Sequence, residues 1–234
     1  MHRLTHTKVW LLIALAGVVL IAGASRQPSI LRAIGWILVA SDTIEPVDII
    51  IVAQDAAGAS VLEASDLVRS GVAERVAVFA DPPSGEDFEF LRRGLPYDNA
   101  AARQIRQFAS LGIKNVVQIE REDEGSTASV RVLPSWCKEH QIRSFVFVTS
   151  RDHSWRLRRL LNRTLSGTEI RALVKPEHYS IFDPDHWWET RSGTRIAISE
   201  FQKLLVDLLL HPFSDFQPKT MEHDQGRSQA AETR

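Results

Sequence analysis

Residues 144–157 read SFVFVTSRDHSWRL. The core of that stretch, Val146-Phe147-Val148, is apolar on both faces, the pattern of a parallel strand covered by helices on each side rather than of a half-solvated antiparallel one. The strand runs into Ser150, and a helical pattern follows from His153 to Leu165. A strand feeding a helix through a short polar turn is a β-α unit, and the same unit recurs in both directions along the chain.

Upstream, Pro46 introduces VDIIIVA, a β-branched run, and a helix is predicted from Ala57 to Ser70, ending at Gly71. A second strand is expected at Arg75–Ala80, a helix at Asn99–Leu111 ending at Gly112, a third strand at Asn115–Glu120, and a helix at Ser126–His140. Downstream, a fifth strand is expected at Glu169–Val174. A last helix, Arg195–Leu210, comes after the aromatic loop FDPDHWWET. Near-continuous apolar strands alternating with helices imply a Rossmann-like three-layer α/β/α sandwich with a mostly parallel, open, doubly wound sheet, spanning residues 46–211.

The amino end has a different character. Val9 to Ala24 (VWLLIALAGVVLIAGA) carries no charge and is preceded by a short leader containing Arg3 and Lys8. At 1.5 Å per residue it spans roughly 24 Å, close to the hydrocarbon thickness of a bilayer. Residues 1–25 are therefore expected to form one transmembrane anchor, with signal-peptide cleavage near Ala22-Gly23-Ala24 as the alternative. Either reading exports the remainder of the chain, giving a single-pass protein of the cytoplasmic membrane with its domain outside. Residues 26–45 are expected to join anchor to domain, with a short helix in Ile30–Ala40 against the domain or the lipid surface. Residues 212–234 are polar and patternless, and a disordered tail is expected there.

The 234 residues carry 28 Lys and Arg against 29 Asp and Glu, a net charge of −1, which gives no electrostatic pull toward nucleic acid. The single cysteine, Cys137, excludes an intrachain disulfide framework and any multi-cysteine metal site. No Gly-x-Gly-x-x-Gly follows the first strand, where Gly58 stands alone, so a dinucleotide cofactor is not indicated and no other cofactor can be named.

In open α/β sheets ligands bind beyond the carboxyl ends of the strands, where helix amino termini also point. That selects Gln54-Asp55 after the first strand, Asp81-Pro82-Pro83 after the second, Glu120 to Thr127 after the third, and Ser150 to His153 after the fourth. His153 and Arg156, one helical turn apart, suit an anionic substrate. Equally, Ser150 or Asp152 caps the helix and both side chains are solvated. In the third loop a carboxylate such as Glu124 can orient His153, while Ser126, Thr127 and the helix amides bind an oxyanion; the alternative is a solvated acidic loop. Tyr179, Trp187 and Trp188 can floor a sugar site or pack under the sheet edge.

The segments LRAIGWILVASDTIEPVDIIIV, EASDLVRSGVAERVAVF, YDNAAARQIRQFASLGIKNVVQIE, GSTASVRV, VTSRDHSWRL and DPDHWWETRSGTRIAISEFQKLL, in that order and spacing, resemble the YdcF/SanA/ElyC-like family. Together they cover roughly Leu31 to Leu210. The resemblance implies a Rossmann-like domain behind an amino-terminal membrane segment, work in cell-envelope biogenesis on peptidoglycan or lipid-linked polysaccharide precursors, and a polar pocket containing Thr127, Ser150, His153 and Arg156. The chain departs from the family's pattern where many members carry Gly-Gly after the first strand and Ser-Gly-Gly after the second. It reads Ala53-Gln54-Asp55 and Ala80-Asp81-Pro82 there, and Thr127-Ala128-Ser129-Val130 in place of Thr-x-Glu-Asn. Either Asp55 and Asp81 remodel the pocket or activity has been lost. Two functions are expected. One is an envelope enzyme with His153 as general acid or base, Arg156 and the Thr127 helix start holding the anion, and Asp55 or Glu124 orienting; the other is an anchored, non-catalytic binding or scaffold module.

Overall fold

The computed structural model describes residues 28–54, 57–95, 98–123, 125–179 and 181–212. The strands are β1 (Ile49–Val52), β2 (Val76–Ala80), β3 (Val116–Glu120), β4 (Ser144–Thr149) and β5 (Arg171–Pro176). They form one parallel sheet in the order β3-β2-β1-β4-β5, with Ile51 between Ala77 and Phe147 across the centre. This is the doubly wound arrangement expected from the alternating strands and helices. Its order reverses between β1 and β4.

Strand alternation sorts the core into two halves. Ile49, Ile51, Phe79, Phe145 and Phe147 face α5 (Ser126–Glu139) and α6 (Ser154–Thr164), meeting Leu133, Trp136, Leu157 and Leu161. Ile50, Val52, Val76, Val78 and Val146 face α2 (Ala57–Arg69) and α4 (Ala100–Ser110), meeting Val61, Leu67 and Phe108. Buried on both faces, the central strands have no room for polar alternation, hence their continuous apolar runs.

Four features differ from the sequence expectation, one being that the last helix starts at Arg191, four residues before the expected Arg195. A helix, α3 (Gly85–Arg92), stands between β2 and α4; it buries none of its residues, so no hydrophobic period marks it, and a Ser84/Asp87 capping box starts it. The fifth strand lies two residues further on than expected, because Arg171 takes the register position opposite Ser144. His153 closes a short 3₁₀ turn, Arg151–His153, and α6 begins after it.

The lead-in segment is integral to the domain. Helix α1 (Pro28–Ile37) is fixed by Trp187 Nε1 donating to the Leu31 carbonyl at 2.8 Å and Trp36 Nε1 to Asp185 at 2.9 Å. Gly35 is required at this contact, since a Cβ there would strike the Pro184 carbonyl. Beyond α1 the chain runs along the outer edge of β5, where Asp42 exchanges two hydrogen bonds with the Val174 backbone.

The last helix, α7 (Arg191–Leu210), packs outside α6. Leu38, Phe182, Ala197 and Leu204 form a small third core between α1, the aromatic loop and α7. Polar pairs reinforce the α6–α7 seam: Arg159, fully buried, donates to Asp207 at 2.7 Å, and Arg163 reaches the other oxygen of the same carboxylate at 2.6 Å. Trp187 packs against the third core toward Phe201, the packing alternative, while Tyr179 is exposed and bonds Asp66. Among the described residues no helix is long and apolar enough to cross a membrane; the Val9–Ala24 segment and residues 213–234 lie outside the described residues.

Candidate functional site

A cavity of about 490 Å³ opens at the carboxyl ends of the strands, where the order reverses. Each of the first four strands contributes: Gln54 follows β1, Asp81 and Pro82 follow β2, Arg121 follows β3, and Thr149 and His153 come from β4 and its turn. Gly125, Ser126 and Ser129 bring in the start of α5, and Asn99 the start of α4. The sequence expectation that these loops converge is met for every loop the structure describes.

The floor is organised by Arg121, which carries no motif that marks it in the sequence. Its guanidinium meets both oxygens of Asp81, Nη2 at 2.8 Å from Oδ2, and Nη2 also donates to Gln54 Oε1 at 2.7 Å. Nη1 donates to Ser129 Oγ and to the Gly125 carbonyl at 3.3 Å, and the group lies 5.3 Å over the Phe79 ring. All five N–H donors of the side chain are thereby engaged. One buried cation ties the ends of β1, β2 and β3 to the start of α5.

On the opposite wall His153 is 4% exposed and lines the cavity, with Nδ1 3.4 Å from Glu200 Oε2. Glu200 comes from the inward stripe of α7, with Gly193, Ala197 and Leu204. The same Oε2 accepts Nε and Nη2 of Arg156, each at 3.1 Å, while Lys203 Nζ reaches Oε1 at 2.5 Å. Burial alone would raise the Glu200 carboxyl pKa, but the His153 and Lys203 contacts and the Arg156 charge outweigh it and hold it down at about 2. Glu200 is thus a fixed carboxylate behind the imidazole.

The predicted site residues separate. His153, Asp81 and Ser126 line the cavity. Arg156, expected to hold the anion, is outside the lining, and its guanidinium donates to Glu200. Ser150 is buried outside the lining, and Thr127 is exposed outside it. Neither solvation of His153 nor solvation of Arg156 is observed. Asp55 and Glu124 lie outside the described residues. The carboxylate at His153 Nδ1 is that of Glu200, which the strand-end rule does not select because it sits on the last helix. A signal for it existed: an acid on the stripe of α7 that otherwise reads Gly, Ala, Leu.

The start of α5 has no side-chain cap, and Gly125 there adopts φ of 96°, a left-handed value that favours glycine. Its uncapped first-turn amides stand at the cavity wall beside Ser126, a set of donors suited to an anionic oxygen. The cavity therefore combines one imidazole backed by a carboxylate with a helix amino terminus, while its guanidinium is internally neutralised.

Comparison with known protein families and with curated proteins finds no match for this chain.

Proposed function

We propose that the protein is a membrane-anchored, extracytoplasmic YdcF-like protein of cell-envelope biogenesis that acts on a phosphate- or sugar-bearing envelope precursor. The reading draws on the sequence resemblance, on the apolar Val9–Ala24 segment, and on the cavity. The observation that carries it is His153, buried in the cavity wall with a carboxylate at one ring nitrogen. In this reading Glu200, at ion-pair distance from Nδ1, backs the ring, and the imidazole moves a proton as general acid or base. The α5 amides and Ser126 hold the anionic oxygen, and Arg156 and Lys203 keep Glu200 in place.

A second reading is a non-catalytic binding or scaffold module for envelope assembly. The neutralised Arg121 favours it, because this guanidinium in the cavity is occupied by Asp81, Gln54 and Ser129 rather than kept for a reacting group.

Native mass spectrometry of the detergent-extracted full-length protein beside His153→Ala tests the first reading. A co-purifying lipid or sugar phosphate on the wild type, absent from the variant and consumed on incubation, is the expected result. Retention without turnover selects the binding module. No ligand on either folded protein removes the cavity from both readings.

A further inference from the structure

Helix α7 has two unlike sides. Its inner stripe, Gly193, Ala197, Glu200 and Leu204, is buried. The opposite side ends in Leu205, Val206, Leu209 and Leu210, with Leu209 72% and Leu210 68% exposed. Four large aliphatic side chains within six residues, facing away from the domain on a well-formed helix, form a contiguous apolar surface rather than scattered exposure. Helix α1 adds Trp36 and Ile37, each about half exposed. Leu38, just past α1, and Leu204 of α7 belong to the same small core, which sets the end of α1 near the carboxyl-terminal half of α7.

The chain itself indicates what covers this face. The uncharged Val9–Ala24 run ends just before Pro28, where α1 begins, and that link extends at most about 14 Å. Because α1 is bonded to the aromatic loop through Leu31 and Trp36, it cannot swing away from the domain to lengthen the tether. A segment that enters a bilayer therefore brings α1 and the outer face of α7 to the lipid surface. The composition suits that position: an exposed tryptophan and aliphatics, with Arg191 and Arg195 exposed toward the other end of α7.

We propose that the outer face of α7, with Trp36 and Ile37 of α1, docks on the lipid surface that the Val9–Ala24 segment enters. The proposal rests on the membrane-anchored reading above. It further places the membrane against the helix whose inner side supplies Glu200, one helix thickness from His153.

The test uses the full chain reconstituted in vesicles of phosphatidylethanolamine and phosphatidylglycerol. Leu209→Cys, Val206→Cys and Ile37→Cys are each labelled with an environment-sensitive fluorophore, and Lys114→Cys, in the loop before β3, is the control; the wholly buried Cys137 stays unlabelled, as the wild-type chain verifies. The expected result is a blue shift at 209, 206 and 37 and quenching by doxyl-labelled lipid several-fold stronger than at 114. Vesicle association with no excess quenching at those positions overturns the docking face and leaves the anchor standing. Crosslinking between copies through position 209 without lipid quenching assigns the face to a second copy and also overturns it. Failure to float with vesicles overturns both the anchor and the docking face.

Discussion

One carboxylate oxygen, Glu200 Oε2, stands 3.4 Å from His153 Nδ1 and 3.1 Å from two nitrogens of Arg156. The two residues that the RDHSWR stretch sets one turn apart are thus joined by a third, from the last helix, and only His153 is left for the cavity.

Glu200→Gln tests the strength of that junction. A folded-state carboxyl at about 2 against an ordinary 4.5 means the ionised form is favoured by folding. The corresponding stability, about 3 kcal/mol, is complete above the unfolded value and is lost as pH falls from about 5 toward 2. Urea denaturation is expected to show the variant less stable than wild type at pH 7, with the difference shrinking across that window. A difference that does not vary with pH contradicts the ionised assignment.

Asp207→Asn is expected to be costlier than an exposed charge deletion. Arg159 is fully buried, and it also donates to the His211 carbonyl and lies over the Trp155 ring. The substitution takes one shared carboxylate from Arg159 and Arg163 together, and a loss of about 1–3 kcal/mol is expected. Chemical denaturation measures it, and a loss under about 1 kcal/mol would place the seam's strength in its apolar contacts instead.

Arg121→Met and Asp81→Asn are expected to be strongly non-additive. Asp81→Asn takes the carboxylate from a buried guanidinium and Arg121→Met takes that guanidinium from a partly buried carboxylate, while the double variant removes both, so a coupling of about 1–3 kcal/mol is expected from a double-mutant cycle. Additivity would mean that Gln54 and Ser129, not Asp81, carry the arginine.

Gly35→Ala places a Cβ against the Pro184 carbonyl and 2.6 Å from Trp187 Cδ1. Backbone cannot yield there without moving α1 off the aromatic loop, and a loss of about 1–3 kcal/mol is expected. A lowered Tm together with a changed tryptophan emission would show it; an unchanged Tm would mean that α1 is held elsewhere.

Burial, aided by the Asp48 carboxylate, pushes the Cys137 thiol up to about 12. The native protein is expected to resist thiol reagents at pH 8 and to react stoichiometrically once unfolded. Rapid labelling of the folded chain would contradict the packing of α5 on the sheet.

The sheet was legible because its strands are covered on both faces, so VDIIIVA and SFVFVT announce themselves without alternation. His153, Asp81 and Ser126 were legible for a topological reason, since a parallel sheet delivers strand ends to one crevice. The partners were not. Glu200 and Arg121 reach their places through tertiary packing, and a lone charge in a helix or an acidic loop reads as solvated until its neighbours are known. Helix α3 escaped because capping, rather than a buried stripe, defines it.

Glu200 also sets an order of events in making the protein. Both halves of the sheet core are complete by Val174, yet the carboxylate behind His153 arrives only with the final helix. A chain still emerging from the ribosome can close its sheet and enclose most of the cavity while the imidazole lacks its counterpart. The pairing of this imidazole with its carboxylate therefore waits for the docking of α7, and a chain ending before that helix would have its sheet without the pair.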